Sequence, residues 1–382
     1  KMDIAAAFEN KYPSHLHEKL KLREEKARAF LPAQPPFVYH TQAPIHGASN
    51  SLIECACAKV TIRDSKALGR YVVATETIQI GEVVAVERPY AHVLLENCLQ
   101  EHCYWCLKLG YSWKPCDNCV YAMFCSNDCY KEAWHSFHKY ECPILATLYA
   151  LEVSKLPLLA LRIAIMARDR YTDILEGKYD NPAIPSPFYK SQRYQEIHLL
   201  AANTSLRTVS DLFSKAVTAA VIRYIVQISS PLHAELVGDY RVFDELVMRH
   251  LQTGPTNFHE ISEAEDGGDE KGFNPSEIGA GAYAFLSLFN HSCDPNVVRH
   301  CHGAQIVVRA IRMIHKDEQL FDNYGYHYAM MKKTDRKRVD SVCLVTCYKE
   351  FLQSANFPFK VRTDYGCNKQ RKNCKKIFFN NR

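Results

Sequence analysis

Seven of the 16 cysteines lie between residues 103 and 142, in pairs that have the spacing of metal ligands. Ligands two or three residues apart present two donor atoms to one ion, and tetrahedral zinc takes four donors. Eight ligands predict two closed sites, which are structural because no coordination position is left for water. His135 is a competing ligand, but its longer spacing to Cys142 favours a surface position. The four pairs are Cys103-x2-Cys106, Cys116-x2-Cys119, Cys125-x3-Cys129 and His138-x3-Cys142.

A second segment whose side chains could take part in chemistry is NHSCDPN at residues 290–296, which directly follows the apolar run AYAFLSLF. One interpretation is a polar turn after a buried element. The other is a binding site, in which Asn290 and His291 are fixed at the end of a packed element and contact a ligand. The residues alone leave both interpretations open.

The length and composition restrict the class of protein that carries these segments. A chain of 382 residues predicts two or three domains, and a hydrophobic content of 47% excludes a mostly disordered protein. No signal peptide is expected, and no uninterrupted apolar run reaches the roughly 18 residues that a membrane span needs, so no membrane partner is expected. Reduced thiols and a cytoplasmic and nuclear location follow as expectations.

The net charge of +5 neither requires nor excludes nucleic acid. A basic run from Lys360 to Lys376 is more typical of a solvated or flexible end, so a nucleic-acid partner is not expected.

Strands and helices alternate around the cysteine cluster. β-Branched residues predict strands at 58–63 and 70–87, and again at 305–309 and 319–321. Apolar residues at helical spacing predict helices within 144–176 and 191–252, and the acidic segment 260–272 predicts an exposed loop. This order indicates a mixed α+β domain into which the cysteine cluster is inserted. The core stripes of the helices are predicted at Leu158, Leu161 and Ile165, and at Val217, Val221, Tyr224 and Ile228.

The cysteine-rich segment and the NHSCDPN segment both resemble known families. CYWC, CDNC, FCSNDC and WHSFHKYEC resemble a MYND zinc finger, and NHSCDPN resembles the NHSCxPN motif of SET-domain protein methyltransferases. ALGRYVVATETIQIGE resembles the opening strands of that family, TNFHEI resembles its asparagine-containing strand, and DEQLFDNYG resembles its final strand. A MYND finger that interrupts a SET domain is the layout of the SMYD family. The resemblance covers residues 11 to about 338.

The resemblance implies an α+β fold, in which short SET-domain strands are interrupted by a MYND zinc finger and a helical insert. It also implies interleaved zinc sites, one formed by Cys103, Cys106, Cys125 and Cys129 and the other by Cys116, Cys119, His138 and Cys142. The implied domains are an N-terminal helical segment and linker (1–50), the first SET part (51–102), the finger (103–142), the helical insert (143–252), the catalytic SET part (253–338) and a basic tail (339–382).

The activity that the resemblance implies is transfer of a methyl group from S-adenosylmethionine to a lysine ε-amine of a protein substrate, with Tyr324 as the catalytic residue. The alternative is an adaptor of weak or absent activity that recruits proteins through the finger, as in transcriptional regulation. MYND fingers generally bind proline-rich peptides, so such partners are expected. The cofactor-binding positions implied are Leu68, Gly69, Arg70, Tyr194, Asn257, Asn290, His291 and Tyr324.

The tail from residue 339 onward departs from the family. Family members carry Cys-x-Cys-x2-Cys after the final tyrosine, and these three cysteines bind a third zinc with the cysteine of NHSC, which is Cys293 here. This chain has Cys343-x3-Cys347, Cys367 and Cys374 instead. Two alternatives remain: a third zinc held by Cys293, Cys343, Cys347 and one more ligand, or no third zinc, which would put catalytic competence in question.

Overall fold

The structure is a computed structural model that describes residues 13–29, 44–66, 68–179, 188–265 and 274–325. The described residues divide into two compact units. The larger unit holds those up to Asn290 together with Pro295–Asp322, and the smaller unit holds His291–Asp294 and residues 323–325. The predicted tail at 339–382, and with it Cys343 and Cys347, lies outside the described residues.

Short antiparallel strands of the larger unit form the framework. β1 and β2 form a hairpin, β5 and β6 form a second hairpin within the cysteine-rich segment, and two three-stranded sheets have the orders β10-β11-β3 and β4-β8-β7. The mixed α+β fold class predicted from the sequence is confirmed. The strands are β1 (Val60–Ser65), β2 (Gly69–Ala74), β3 (Val83–Glu87), β4 (Ala91–Leu94), β5 (Lys114–Pro115), β6 (Met123–Phe124), β7 (His259–Glu265), β8 (Asn274–Ala282), β9 (Asn290–His291), β10 (Val297–His302), β11 (Gln305–Ala310) and β12 (Phe321–Asp322).

Helices occupy most of the segment between the cysteine cluster and β7. A π-helical turn, Trp134–His138, joins α2 to α3. Pro255 lies within α10, which nevertheless continues to Asn257. The helices are α1 (His17–Ala29), α2 (Asn127–Ala133), α3 (Lys139–Glu141), α4 (Leu145–Ala150), α5 (Lys155–Met166), α6 (Tyr171–Leu175), α7 (Tyr194–His198), α8 (Val209–Ser229), α9 (Leu232–Leu236) and α10 (Arg241–Asn257).

The stripe predicted on α5 is buried, because Leu158, Leu161 and Ile165 lie in the core. The stripe predicted on α8 is wrong. The core contains a different face of that helix, formed by Ile222, Ile225 and Val226, while the predicted residues are exposed. Apolar residues surround much of α8, so periodicity alone does not select the buried face. The exposed fractions are 47% for Val217, 40% for Val221, 63% for Tyr224 and 60% for Ile228.

Among the described residues, α8 is also the one helix that is long and apolar enough to cross a membrane by length and composition. A single helix of this kind is weak evidence for a membrane span.

The acidic segment 260–272 was predicted to be a loop, and its first part is instead a strand. β7 pairs with β8 from His259 opposite Gly281 to Glu265 opposite Asn274. Because β7 pairs only with β8 in its sheet, an acidic side chain such as that of Glu260, which is 63% exposed, can face water. Residues 266–273 lie outside the described part of the chain.

Candidate active site and metal centres

The first candidate metal centre brings together Cys103, Cys106, Cys125 and Cys129, whose sulfurs all lie within 4.8 Å of one another. The Sγ atoms of Cys125 and Cys129 are 3.4 Å apart, and those of Cys106 and Cys125 are 3.7 Å apart. Ser126 caps α2 by accepting a hydrogen bond from the Cys129 amide at 3.1 Å, which sets the start of the helix that carries this ligand.

The second candidate metal centre consists of Cys116, Cys119, His138 and Cys142, again with all donor atoms within 4.8 Å of one another. His138 Nε2 is 3.3 Å from Cys116 Sγ and 3.6 Å from Cys119 Sγ. Burial lowers the pKa of His138 to about 3, so the ring is the neutral imidazole that ligates metal. His135 is exposed and its Nδ1 lies 2.7 Å from the Lys131 carbonyl oxygen, outside both clusters.

The geometry of both centres fits a tetrahedral thiolate-rich ion. A zinc–sulfur bond of about 2.3 Å places two sulfurs of a tetrahedron about 3.8 Å apart. The sulfur–sulfur distances of 3.4, 3.7 and 3.9 Å lie close to that value. The two clusters could therefore each hold a metal ion, and their membership follows the interleaved pattern that the family resemblance implied.

A buried ion pair ties the cysteine-rich segment to the neighbouring elements. Arg162 of α5 contacts Glu141 through two hydrogen bonds, at 2.8 Å from Nε and 2.6 Å from Nη2, and both side chains are only 3% exposed. The same guanidinium donates to the Tyr104 hydroxyl at 2.6 Å and to the His92 carbonyl of β4, and it lies 3.8 Å above the Phe137 ring. One cation thus connects the cysteine-rich segment, α5 and β4.

Leu68, Gly69 and Arg70, predicted as cofactor contacts, lie at the start of β2. Gly69 has φ +64°, a conformation that side-chain-bearing residues rarely adopt, so glycine is favoured at this turn. Leu68 N donates to Ser65 Oγ at 3.1 Å. Arg70 Nη2 donates to the Leu199 carbonyl oxygen at 2.9 Å, which ties β2 to the segment that follows α7.

Asn257 was predicted on a strand, and the structure corrects this. It is the last residue of α10, and β7 begins only at His259. Its Nδ2 donates to the carbonyl oxygen of Ala201 at 2.9 Å and to that of Thr253 at 3.0 Å. Arg70 and Asn257 therefore converge on carbonyls two residues apart, and both side chains shape the same segment.

Tyr194 lies in the core rather than at an open surface. Its hydroxyl is 3.1 Å from His198 Nδ1 and 3.0 Å from His250 Nε2, and its ring packs against Tyr90 and Tyr179. Its polar group therefore already has two partners. The structure gives Tyr194 a place in the packing of α7 against α10, and this histidine pairing was not predicted from the sequence.

Asn290 has a buried Nδ2 atom with no hydrogen-bond partner among the described residues. A buried polar atom of this kind normally finds a partner, so it marks a place where a ligand would fit. The run that precedes it is fixed by Glu87, whose two carboxylate oxygens accept hydrogen bonds from the amides of Phe285 and Leu286, both at 2.8 Å. Burial raises the pKa of Glu87 to about 7, although these two donors oppose the shift.

Asn296, the last residue of NHSCDPN, holds the backbone that leads into the final strand, β12. Its side chain is fully buried, its Nδ2 donates to the Gln319 carbonyl at 2.8 Å, and its Oδ1 accepts from the Phe321 amide at 2.7 Å. Neither Glu87 nor Asn296 was among the predicted site residues. Asn296 lies within the motif that drew attention to Asn290, which was a usable signal, whereas the contact of Glu87 spans 198 residues of sequence.

In the smaller unit, His291 and Tyr324 lie together. The Tyr324 amide donates to His291 Nδ1 at 3.0 Å, and the two rings have centroids 5.2 Å apart. Burial lowers the pKa of His291 to about 4, so its Nδ1 is available as an acceptor. Asn323 Nδ2 donates to the Ser292 carbonyl at 3.0 Å, which fixes the residue next to Tyr324 in the same way.

Comparison with known proteins agrees with this geometry. The SET domain family profile matches residues 69–325. "Protein-lysine N-methyltransferase SMYD4" of Danio rerio is 25% identical, over 88% of this chain and 55% of the relative, and its Mus musculus counterpart is 25% identical, over 82% and 49%. "N-lysine methyltransferase SMYD2-A" of Xenopus laevis is 26% identical, over 68% and 53%. The chain spans about half the length of these relatives.

Among solved structures, the "Crystal structure of the SET domain of LSMT bound to Lysine and AdoHcy" matches at 11% identity, covering 70% of this chain and 49% of that chain. Its TM-score of 0.29 is too low to support an argument. The resemblance to SET and MYND domain-containing proteins is confirmed by these relatives, which are named SMYD4 or SMYD2 methyltransferases. Because the SET profile matches more than half of the 382 residues, this chain belongs to the SET domain family.

Proposed function

We propose that this chain is an S-adenosylmethionine-dependent protein-lysine N-methyltransferase. The observation that carries the proposal is the fixed position of Tyr324, whose amide donates to His291 within the matched SET region. Relatives that match most of this chain are named lysine methyltransferases, which supports the same activity.

The cofactor would be held by the residues around the start of β2 and by Asn290. Bound S-adenosylmethionine supplies an electrophilic methyl group on sulfur. Asn290 fits a ligand because its buried Nδ2 lacks a partner among the described residues. Arg70 and Asn257 contribute indirectly, since they donate to carbonyls at 199 and 201 and thereby shape the segment between them.

Tyr324 would act on the lysine amine. An unperturbed lysine has a pKa of about 10.4, so the neutral amine costs about 4 kcal/mol at a pH of about 7.4. A desolvated channel lowers that cost because burial disfavours the ammonium ion. The Tyr324 hydroxyl can accept a hydrogen bond from the amine and so align its lone pair, while His291 holds the Tyr324 backbone in place. Its catalytic contribution is therefore orientation rather than proton abstraction.

Two structural zinc ions in the MYND finger complete the proposal. Four cysteines in one cluster, and three cysteines with one histidine in the other, are the donor sets of closed zinc sites. The ions would stabilise a segment of about 40 residues, which buries too little apolar surface to fold alone. We further propose lysine-bearing protein substrates, proline-rich peptide partners at the finger, and a cytoplasmic and nuclear location.

The experiment that tests this function measures cofactor binding and methyl transfer separately. Calorimetric titration with S-adenosylmethionine gives the first, and transfer of a labelled methyl group to a panel of proteins gives the second. We expect saturable binding and label in lysine. The absence of cofactor binding at high concentration would reject the proposal.

A non-catalytic adaptor is the second candidate, and exposed apolar residues on the finger favour it. Tyr111 is 80% exposed and Val120 is 76% exposed, so both side chains are accessible to a partner protein. A peptide pull-down that is lost in Cys116→Ala but unchanged in Tyr324→Phe, combined with absent methyl transfer by the wild-type chain, would favour this candidate.

A further inference from the structure

A cavity of about 380 Å³ lies in the larger unit, where the metal-binding finger meets β4, α5 and the β10–β11 turn. Its volume is in the range of ligand-binding sites, roughly 300–1,000 Å³. It contains none of the predicted cofactor or catalytic residues, and one predicted zinc ligand, Cys106, contributes to its wall. Neither the proposed methyl transfer nor the metal centres account for it.

The cavity is built from fixed parts. The Ala304 amide in the β10–β11 turn donates to the Cys106 carbonyl at 3.0 Å, and the Tyr283 hydroxyl donates to the Ala304 carbonyl at 2.6 Å. A Cβ atom on Gly303 would lie 2.3 Å from the Cys106 carbonyl oxygen, so the turn approaches the finger as closely as glycine permits. The two sides of the cavity are therefore held in register before any ligand binds.

The interior is aromatic. Tyr90, Trp105 and Phe137 line it, and the rings of Trp105 and Phe137 are stacked with centroids 5.9 Å apart. His92 and Met166 also line it, and His92 is only 7% exposed. The interior thus matches an aromatic ring.

The rim is basic. Arg88 and Lys108 are exposed at the cavity, and neither has an ion-pair partner in the described part of the chain. No aspartate or glutamate belongs to its lining among the described residues. Gln192 and Gln305 complete the rim, and their amides can both donate to and accept from a peptide backbone.

We propose that this cavity binds an aromatic side chain, such as that of tyrosine, within an acidic segment of a partner protein. The ring enters between Tyr90 and Trp105, and the flanking carboxylates lie near Arg88 and Lys108. This binding requires neither the cofactor nor methyl transfer, so it can be tested independently of the proposed activity.

The test is fluorescence anisotropy of the zinc-loaded full chain without cofactor. The probe is a fluorescein-labelled peptide of glutamate, aspartate and glycine with one central tyrosine. We expect replacement of the tyrosine by alanine to weaken binding by at least about tenfold, because the buried ring is the anchor. Replacement by phenylalanine keeps the ring and should leave binding unchanged.

Protein variants locate the binding. Arg88→Glu and Lys108→Glu should each weaken binding about fivefold as rim charges, and the exposed Lys316→Glu, outside the cavity, is the matched control. Both rim residues are exposed, so unchanged zinc content and melting temperature will establish that these variants fold. The proposal is overturned if binding is absent at about 1 mM peptide, if the tyrosine and alanine peptides bind equally, or if the rim variants bind like Lys316→Glu.

Discussion

Arg162→Met removes the cation that links the cysteine-rich segment, residues 103–142, to α5 and β4. Glu141 would keep its place in the core at 3% exposure but lose both hydrogen bonds from the guanidinium. The Tyr104 hydroxyl and the His92 carbonyl would lose one donor each. Methionine retains much of the side-chain volume, so the loss is mainly electrostatic.

The magnitude follows from burial. Removing one partner of a buried ion pair costs about 3–5 kcal/mol, because the remaining charge is left without compensation. An exposed pair is worth about 0–1 kcal/mol. Arg241→Met is therefore the matched control, since Arg241 pairs with Asp239 at 76% and 49% exposure.

Urea unfolding of the zinc-loaded chain, monitored by tryptophan fluorescence, measures the change in the free energy of unfolding. We expect a loss of about 3–5 kcal/mol for Arg162→Met and less than about 1 kcal/mol for Arg241→Met. The double variant Arg162→Met with Glu141→Met should recover much of the loss, because no buried charge remains. A loss below about 1 kcal/mol for Arg162→Met, or no recovery in the double variant, would refute the reasoning.

Three further predictions concern stability and metal. Gly279→Ala should lower the free energy of unfolding by more than about 2 kcal/mol, measured by urea unfolding, because the new Cβ would lie 2.2 Å from the backbone oxygen of Val93. Burial raises the pKa of Glu87 from 4.5 to about 7, so its contribution to stability is full below pH 4.5 and is lost as the pH rises to about 7. We therefore expect the stability advantage of the wild-type chain over Glu87→Gln, measured between about pH 5 and 8, to shrink as the pH rises. An advantage that grows with pH would contradict the assignment. Atomic absorption should find two zinc ions per chain, and Cys116→Ser should lower the count by one.

The two clusters of cysteine and histidine side chains were the most predictable part of the site. Their members lie in short local pairs, whose spacing does not depend on how the rest of the chain folds. The assignment of pairs to ions was not contained in the spacing and came from the family resemblance. The buried pair of Arg162 and Glu141 could not have been predicted, because it depends on contacts between elements 21 residues apart.

The errors have physical causes as well. Val217 and Tyr224 lie on one face of α8, and Ile222 and Ile225 lie on another, and both pairs have helical spacing. Only tertiary packing decides which of the two faces is buried. Asn257 follows Gly254 and Pro255, a pair that usually ends a helix, yet α10 continues through it.

The most direct measurement compares wild-type chain with Tyr324→Phe for cofactor affinity and for methyl transfer to lysine. We predict that both proteins bind S-adenosylmethionine with similar affinity, because the backbone bond from Tyr324 to His291 is retained. Methyl transfer should fall by about 100-fold, the cost of misplacing a reacting group by about 1 Å, because phenylalanine cannot accept the hydrogen bond that orients the lysine amine. Wild-type chain that binds no cofactor, or a Tyr324→Phe variant that transfers methyl groups at the wild-type rate, would contradict the assignment of this chain as a lysine methyltransferase that acts through Tyr324.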